Sequence, residues 1–192
     1  MIKELVYKNR SFRRFHQNDK ISMDTLEGLV DLARHSASGG NLQSLKYILS
    51  CDPQTNELIF KRLGWAAYLK DWKGPIESEK PAAYIVIMGD TSIFKHTFCD
   101  HGIACQSMLL GAVEKDLGGC ILASINRYGF RRDLSIDDKL EIMLVLALGR
   151  PLEEVTLDYI ETGEDIKYWR DENGVHHVPK RPLEEIIVRK HG

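Results

Sequence analysis

The sequence lacks any apolar run long enough to cross a membrane, which argues against an integral membrane protein. A membrane-spanning helix needs about 20 consecutive, mostly apolar residues. The first residues, MIKELVYKNRSFRRF, are charged and lack the apolar centre and cleavage site of a secretory signal. We therefore expect a cytoplasmic protein with no membrane partner.

An excess of charge of either sign is also lacking. The 192 residues include 26 Lys and Arg against 28 Asp and Glu, which gives a net charge of −2 at pH 7. Such a balance provides no general attraction to nucleic acid or to an anionic membrane surface, so we expect neither as a partner. Any phosphate group must therefore be bound by a local basic cluster.

Cysteine is scarce, and its positions do not suggest a disulfide framework. Cys51, Cys99, Cys105 and Cys120 are scattered and lie mostly in apolar contexts, which is typical of reduced thiols in the core. His101 and Cys105 stand four residues apart, but no second pair at ligand spacing accompanies them. We therefore predict no metal site.

What the chain does contain is enough apolar sequence for a core. Hydrophobic residues make up 43% of the chain, and its length suits one domain over residues 1–192. Apolar periodicity predicts helices over residues 2–8, 23–35 and 100–117, with Gly118 and Gly119 closing the third and Ser22 capping the second. Apolar runs predict strands over residues 46–51, 81–90, 120–124 and 141–149.

Interleaved helices and buried strands indicate a three-layer α/β or α+β sandwich, with the third helix buried at its centre. A short helical turn is predicted to start at Ser135. Residues 151–192 are polar with scattered aromatic side chains, and we interpret them as an extended arm that packs on a partner subunit.

A basic turn follows the first helix. Arg10, Arg13 and Arg14 lie within five residues, next to the hydroxyl of Ser11. A guanidinium group is planar and can bind two phosphate oxygens at once, so this turn could bind an anion. A solvated charged turn after a helix is the alternative that the stretch leaves open.

A small polar corner, residues 36–43, joins the second helix to the first strand. Gly39 and Gly40 allow the backbone to approach a flat ligand closely. Asn41 and Gln43 carry both donors and acceptors, which suits the edge of a heterocycle. A glycine-terminated helix followed by a turn would also account for this composition.

A second basic pair lies near the end of the chain. Lys180 and Arg181 stand between Pro179 and Pro182, which restrict the backbone and hold the two charges in place. Alone this pair is weak evidence for a binding site, but the pair, the basic turn and the polar corner together are stronger evidence.

Together, and in this order, these stretches resemble the FMN-dependent nitroreductase family. NRSFRRF from Asn9 matches the family's "RRSxRxF", with Asn9 in place of the first arginine, and SASGGNLQSL from Ser36 matches "APSxxNxQPW", with Ser44-Leu45 in place of Pro-Trp. The stretch from Asp100 through Cys120 is similar to "DxGxAxQNLLLAAxxLGLGsc". The segments LVLALGRP and KRPLEE also fit, so the resemblance spans nearly the whole chain.

The resemblance implies an α+β fold, a three-layer α/β/α sandwich whose mostly antiparallel sheet surrounds the central helix and whose C-terminal arm is swapped between subunits. It also implies a homodimer with FMN at the interface. The residues that it assigns to FMN are Arg10, Ser11, Arg13, Ser38, Gly39, Asn41, Gln43, Ile121, Leu122, Ala123, Lys180 and Arg181.

By resemblance, Arg10 and Ser11 bind the FMN phosphate and ribityl chain, and Arg13 lies near the pyrimidine edge. Lys180 and Arg181 complete the phosphate pocket. Residues 38–43 come from the second subunit and cover the dimethylbenzene side, while the backbone amides of residues 121–124 approach the flavin N5. Tyr68, Trp72 and the loop at residues 73–75 are candidates for a lid.

The implied activity is reduction of nitroaromatic, quinone or other electron-poor acceptors with NADH or NADPH in a ping-pong cycle. Such chemistry belongs to the cofactor and needs no catalytic side chain, so we assign none. Two alternatives stay open. One is a different FMN reaction on the same fold, such as reductive dehalogenation or flavin fragmentation, and the other is a flavin-binding dimer without activity.

Overall fold

Two compact units make up the part of the chain that the computed structural model describes, residues 1–96 and 98–192. Unit 1 comprises Met1–Trp65 and Gly74–Leu152, and unit 2 comprises Ala66–Lys73 and Glu153–Gly192. Among the helices of these residues, none combines the length and the apolar character that a membrane span requires.

A four-stranded antiparallel sheet forms the centre of unit 1. Its strands are β1 (Leu45–Ser50), β2 (Ala83–Asp90), β3 (Gly118–Leu122) and β4 (Leu140–Gly149), in the order β1-β2-β4-β3. Every residue of β2 is buried, because helices cover both faces of the sheet. All four predicted strands are confirmed, with ends shifted by up to two residues.

Five helices accompany this sheet: α1 (Ile2–Lys8), α2 (Met23–Arg34), α3 (Pro53–Phe60), α4 (Asp100–Glu114) and α5 (Arg127–Asp133). The predicted cap of α2 is confirmed, since the backbone N–H of Thr25 donates to Ser22 Oγ at 3.2 Å. Asp52 caps α3 in the same way, and Pro53 occupies the first helical position.

The two faces of the sheet pack against different helices, because successive side chains of a strand point to opposite sides. One face packs on α2 and α4, with a core that includes Leu26, Leu29, Ile85, Ile87, Met108 and Leu146. The other packs on α3 and α5, with a core that includes Ile59, Tyr84, Val86, Phe130, Ile142 and Val145. The predicted helix–sheet–helix layering and the buried α4 are thereby confirmed.

The predicted end of α4 is wrong. The helix stops at Glu114, and Gly118 and Gly119 begin β3 instead of closing the helix. Asp116 takes the left-handed conformation (φ 56°), its N–H donates to Val113 O, and the next N–H donates to Ala112 O. This is the usual hydrogen-bond pattern of a glycine-ended helix, here built on an aspartate.

The helical turn predicted at Ser135 is also wrong, and the sequence analysis missed α5. Asn126 caps α5 by accepting a hydrogen bond from the N–H of Gly129 at 3.0 Å. Ser135 lies just after the helix with a φ of 51°, a left-handed conformation that begins no helix. Asp133, the last residue of α5, binds Arg62 through its side chain at 2.8 Å.

Unit 2 contains a small three-stranded sheet and one helical turn. Its strands β5 (Val155–Tyr159), β6 (Trp169–Arg170) and β7 (His176–Lys180) lie in the order β5-β7-β6, and α6 (Leu183–Ile186) follows. β5 and β7 pair in parallel, while β6 and β7 are antiparallel. The expected arm therefore has a sheet of its own, and its packing on a second subunit stays a prediction.

The Asp133 cluster generates a prediction about acid stability. The hydrogen bond from Arg62 lowers the pKa of Asp133 to about 2, and Arg132 and Lys61 act in the same direction. Because the folded pKa lies below the unfolded value, this carboxylate stabilises the fold above about pH 4 and loses that effect as pH falls toward 2. Asp133→Asn should therefore lower the free energy of unfolding at pH 6, and the deficit should shrink by pH 3, as measured by urea unfolding.

Asp138→Asn is the matched control, because the Asp138 side chain is almost fully exposed and lies 3.5 Å from Arg131. Its effect on the free energy of unfolding should be small, because an exposed ion pair contributes little to stability. A deficit in Asp133→Asn that is equally large at pH 6 and pH 3 would contradict the assigned pKa.

Candidate functional site

The basic turn is attached to the edge of the sheet. Ser11 forms an isolated parallel bridge with Gly119, and the N–H of Phe12 donates to Gly119 O at 3.1 Å. A Cβ atom at Gly118 would lie 2.5 Å from the Phe12 ring, so the close contact requires a glycine there. The turn is thus fixed beside β3, the strand that carries Ile121 and Leu122.

The three arginines of the turn have different surroundings. Arg14 forms two hydrogen bonds to the Glu79 carboxylate, at 2.6 and 2.9 Å, so its charge is compensated within unit 1. Arg13 is buried, with 9% of its surface exposed, and its Nη1 donates to Ser11 O at 3.1 Å. These contacts give both residues a structural part in the turn.

Arg10 is the arginine whose charge is left for a ligand. Its Nη2 donates to Val6 O at 2.6 Å, and its Nε is buried without a hydrogen-bond partner among the described residues. No carboxylate of the described residues forms an ion pair with it. Burial lowers its pKa, although a guanidinium remains charged at neutral pH. A buried, unpaired N–H group on a cation fits an anionic ligand.

Asn9, which stands where the sequence motif predicts an arginine, points to the central helix. Its side chain is buried, and Nδ2 donates to Oε1 of Gln106 on α4 at 3.4 Å. The substitution therefore removes one cation from the turn and links the turn to α4.

The polar corner contains a 3₁₀ turn, Gly39–Asn41, with a strained backbone. Gly40, Asn41 and Gln43 have φ values of 57°, 54° and 51°, all in the left-handed region. Side chains other than glycine are disfavoured there by about 1 kcal/mol or more, so the surrounding structure must hold this conformation.

Asp100, the first residue of α4, supplies that constraint. Its carboxylate accepts hydrogen bonds from Ser38 Oγ at 2.7 Å and from the N–H of Gly39 at 3.0 Å, and Ser38 Oγ accepts one from the N–H of Gln43 at 3.0 Å. The sequence analysis placed Asp100 in the central-helix motif without a role. No local pattern links it to a corner about 60 residues earlier.

Two aromatic side chains near the corner were also missed. Phe94 and Phe98 stack with ring centroids 5.2 Å apart and an interplanar angle of 30°, and Phe98 is 64% exposed. A Cβ atom at Gly39 would lie 2.8 Å from the Phe98 ring, so this ring lies directly against the corner. The exposed Phe98 ring, stacked on the half-buried Phe94 ring, forms an apolar surface for a flat molecule.

A cavity of about 270 Å³ lies between α2, the corner, β1 and α4. Its wall is mostly apolar, and its polar groups come from Arg34, Ser36, Ser38, Gln43, Tyr47 and Asp100. Burial raises the pKa of Tyr47 to about 12, and the charge of Asp100 adds to the rise. The Tyr47 hydroxyl therefore stays protonated and can donate a hydrogen bond at neutral pH.

The predicted residues on β3 lie at the edge of the sheet, because β4 is the one strand of the described residues that pairs with β3, and the Ser11 bridge covers its outer side only at Gly119. Ile121 is 38% exposed and Leu122 is buried. Backbone groups on the outer side of an edge strand are free to bind another chain or a ligand. Approach of these amides to a flavin stays a prediction.

The remaining predicted residues belong to unit 2. Lys180 ends β7 and is exposed, and the Arg181 side chain forms an ion pair with Glu185. Two of the three lid candidates, Tyr68 and Trp72, are held within this unit as well, since Tyr68 packs on Tyr168 with centroids 4.9 Å apart and Arg170 lies over the Trp72 ring. The part played by the loop at residues 73–75 stays a prediction. Convergence of Lys180 and Arg181 with Arg10 on one phosphate stays a prediction.

Cys51, Cys99, Cys105 and Cys120 are thiols outside any disulfide, and burial raises the pKa of the Cys105 thiol to about 12. Over residues 1–96 and 98–192 there is no group of three or more histidine, cysteine or acidic side chains arranged to bind a metal.

Comparison with known proteins connects these features to a family. Residues 6–150 match the model of the nitroreductase family, which confirms the resemblance seen in the sequence. No curated protein matches the chain significantly.

Solved structures share the fold at low identity. A nitroreductase family protein from Clostridium novyi NT is 22% identical, with a TM-score of 0.65 over 79% of this chain and 86% of that chain. A nitroreductase family protein from Streptococcus pneumoniae TIGR4 is 13% identical, with a TM-score of 0.70 over 99% and 100%. A nitroreductase in complex with FMN, from Exiguobacterium sibiricum 255-15, is 13% identical, with a TM-score of 0.66 over 79% and 89%.

The two glycines of the corner generate a prediction. Gly40→Ala places a Cβ on a left-handed backbone (φ 57°). The Cβ of Gly39→Ala would lie 2.8 Å from the exposed Phe98 ring, which can move aside, and 3.6 Å from Asp100 Oδ1, an ordinary van der Waals contact. Both substitutions lower the conformational entropy of the unfolded chain by the same amount, so the difference between their stabilities isolates the backbone strain. Gly40→Ala should be less stable by about 1 to 2 kcal/mol in urea unfolding. Equal stabilities would contradict the left-handed corner.

Proposed function

Because this chain belongs to the nitroreductase family, we propose that it is an FMN-dependent oxidoreductase. The observation that carries this proposal is Arg10, a partly buried guanidinium on the turn beside β3, whose Nε has no hydrogen-bond partner and whose charge has no acidic partner within residues 1–96 and 98–192. An arginine in this state fits a phosphate group. FMN carries such a group, and the Exiguobacterium sibiricum relative binds FMN.

In the proposed complex, Arg10 and Ser11 hold the FMN phosphate, and Lys180 and Arg181 complete its pocket. The short side chain of Ser11 is exposed, so its hydroxyl is accessible to the same anion. Arg13 lies toward the pyrimidine edge of the flavin, where a buried guanidinium would stabilise negative charge. These assignments follow the family motif, residue by residue.

The corner would act from the second subunit. Ser38, Gly39, Asn41 and Gln43 form a rigid surface with donors and acceptors on a fixed backbone, which suits the side of a flat ring. Such a site is complete only in a homodimer, because a monomer would leave one side of the ring in water.

Bound FMN supplies two-electron chemistry, accepting a hydride from NADH or NADPH and then reducing a nitroaromatic, quinone or similar electron-poor acceptor. The side chains of this chain bind the cofactor, orient it and exclude water from part of its surface. No side chain is required to form a covalent bond, so we assign no catalytic residue. Phe94 and Phe98 offer an apolar surface for an aromatic acceptor.

Absorbance spectroscopy tests the proposal directly. Purified protein supplied with FMN should show the oxidised-flavin band near about 450 nm after free FMN is removed. The band should bleach on addition of NADH or NADPH without oxygen and return on addition of a nitroaromatic or a quinone. A protein that retains no FMN would contradict the proposal. A stable band that neither donor bleaches would indicate a flavin-binding protein without reductase activity.

The assigned role of Arg10 generates a prediction about ligand choice. Arg10→Ala removes a charge-assisted contact to the phosphate, so FMN affinity should fall about 10- to 100-fold. Affinity for riboflavin, which has no phosphate, should change little. Titration of each flavin, followed by quenching of its fluorescence, measures both values.

Arg150→Ala is the matched control, because Arg150 is an exposed arginine of unit 1 whose charge is paired with Asp19 at 2.7 Å. Its two flavin affinities should match those of the parent protein. An equal loss of FMN and riboflavin affinity in Arg10→Ala would show that Arg10 supports the fold and does not read the phosphate.

A further inference from the structure

The polar corner is closed by a short chain of hydrogen bonds that starts at one buried carboxylate. Asp100 is 5% exposed, and each of its oxygens has a donor from the corner: Oδ2 accepts from Ser38 Oγ at 2.7 Å, and Oδ1 accepts from the N–H of Gly39 at 3.0 Å. The same Ser38 Oγ accepts from the N–H of Gln43 at 3.0 Å. The Ser38 hydroxyl therefore joins the two ends of the corner, and Asp100 holds that hydroxyl and the N–H of Gly39 against α4.

This arrangement accounts for both the buried charge and the strained backbone. A buried carboxylate is costly unless hydrogen-bond donors surround it, and here two donors and the N-terminus of a 15-residue helix provide the compensation. In return, the carboxylate holds Gly40, Asn41 and Gln43 in a conformation that an isolated peptide would seldom adopt.

We propose that Asp100 is a positioning residue for the cofactor site, which keeps Ser38–Gln43 in the conformation that receives the flavin. This inference rests on the proposed function and adds to it the residue that sets the shape of the corner. Asp100 acts through the corner, because its oxygens are occupied by Ser38 and Gly39.

The expected change in FMN affinity follows from the fraction of molecules in which the corner has the binding conformation. If the corner adopts the binding conformation only part of the time, the apparent dissociation constant rises by the inverse of that fraction. Asp100→Ala removes both hydrogen bonds, so we expect the dissociation constant of FMN to rise about tenfold or more. Asp100→Asn retains one oxygen that can accept from the N–H of Gly39, so it should restore part of the affinity.

The matched control is Asp52→Ala. Asp52 also stands at the start of a helix and also accepts from a backbone N–H and a hydroxyl, those of Thr55, both at 2.8 Å. It constrains α3 and not the corner. This variant should lose stability through its lost helix cap and keep the parent affinity for FMN.

The experiment measures FMN binding and amide hydrogen exchange in the parent protein and the three variants, after circular dichroism has confirmed that each is folded. The inference predicts faster exchange at Gly39 and Gln43 and weaker FMN binding in Asp100→Ala, partial recovery of both in Asp100→Asn, and neither change in Asp52→Ala. The visible circular dichroism of bound FMN should also change in Asp100→Ala, since the ring would meet an altered surface.

Different outcomes separate the two proposals. If the parent protein binds FMN and Asp100→Ala binds it equally well, Asp100 does not position the site and the inference alone is overturned. If amide hydrogen exchange at Gly39 and Gln43 is unchanged in Asp100→Ala, the corner keeps its conformation without Asp100 and the inference is again overturned. If the parent protein binds no FMN, the proposed function fails and this inference fails with it.

Discussion

The burial of the Asp100 carboxylate is the constraint on which the candidate site depends. A charge that is 5% exposed must have donors, and the corner provides them only when Ser38 and Gly39 turn toward α4. This requirement fixes the path between α2 and β1, and with it the wall of the adjoining cavity. Hydrogen bonding to a carboxylate about 60 residues away in sequence thus stabilises a left-handed backbone that the side chains of Asn41 and Gln43 disfavour.

Much of unit 1 could be predicted from sequence because its signals are local. β2 and β4 are continuous apolar runs, and α2 has an apolar stripe and a serine cap. α5 was missed because contacts with β4 stabilise it: the side chain of Arg127 donates to Ile142 O, and that of Arg131 donates to Leu140 O. A short, arginine-rich segment shows no apolar periodicity that would indicate such contacts.

In the candidate site, too, features with a local sequence signal could be predicted, and features that depend on distant contacts could not. Composition marked the basic turn and the corner, but it could not distinguish the three arginines of the turn. That distinction depends on contacts distant in sequence: Glu79, 65 residues from Arg14, compensates the charge of Arg14, whereas Arg10 Nε is buried with no hydrogen-bond partner among the described residues. Phe98 was missed for a similar reason, because its importance comes from lying against Gly39 in space.

The account's central claim is that cations from two distant parts of the chain bind one phosphate, and a crystal structure of the protein with FMN tests it most directly. The account predicts the phosphate within hydrogen-bond distance of the Arg10 guanidinium and of Lys180 or Arg181, with the ring against residues 38–43 of a second copy. A phosphate bound away from Arg10, or a ring enclosed by one chain alone, would contradict the claim.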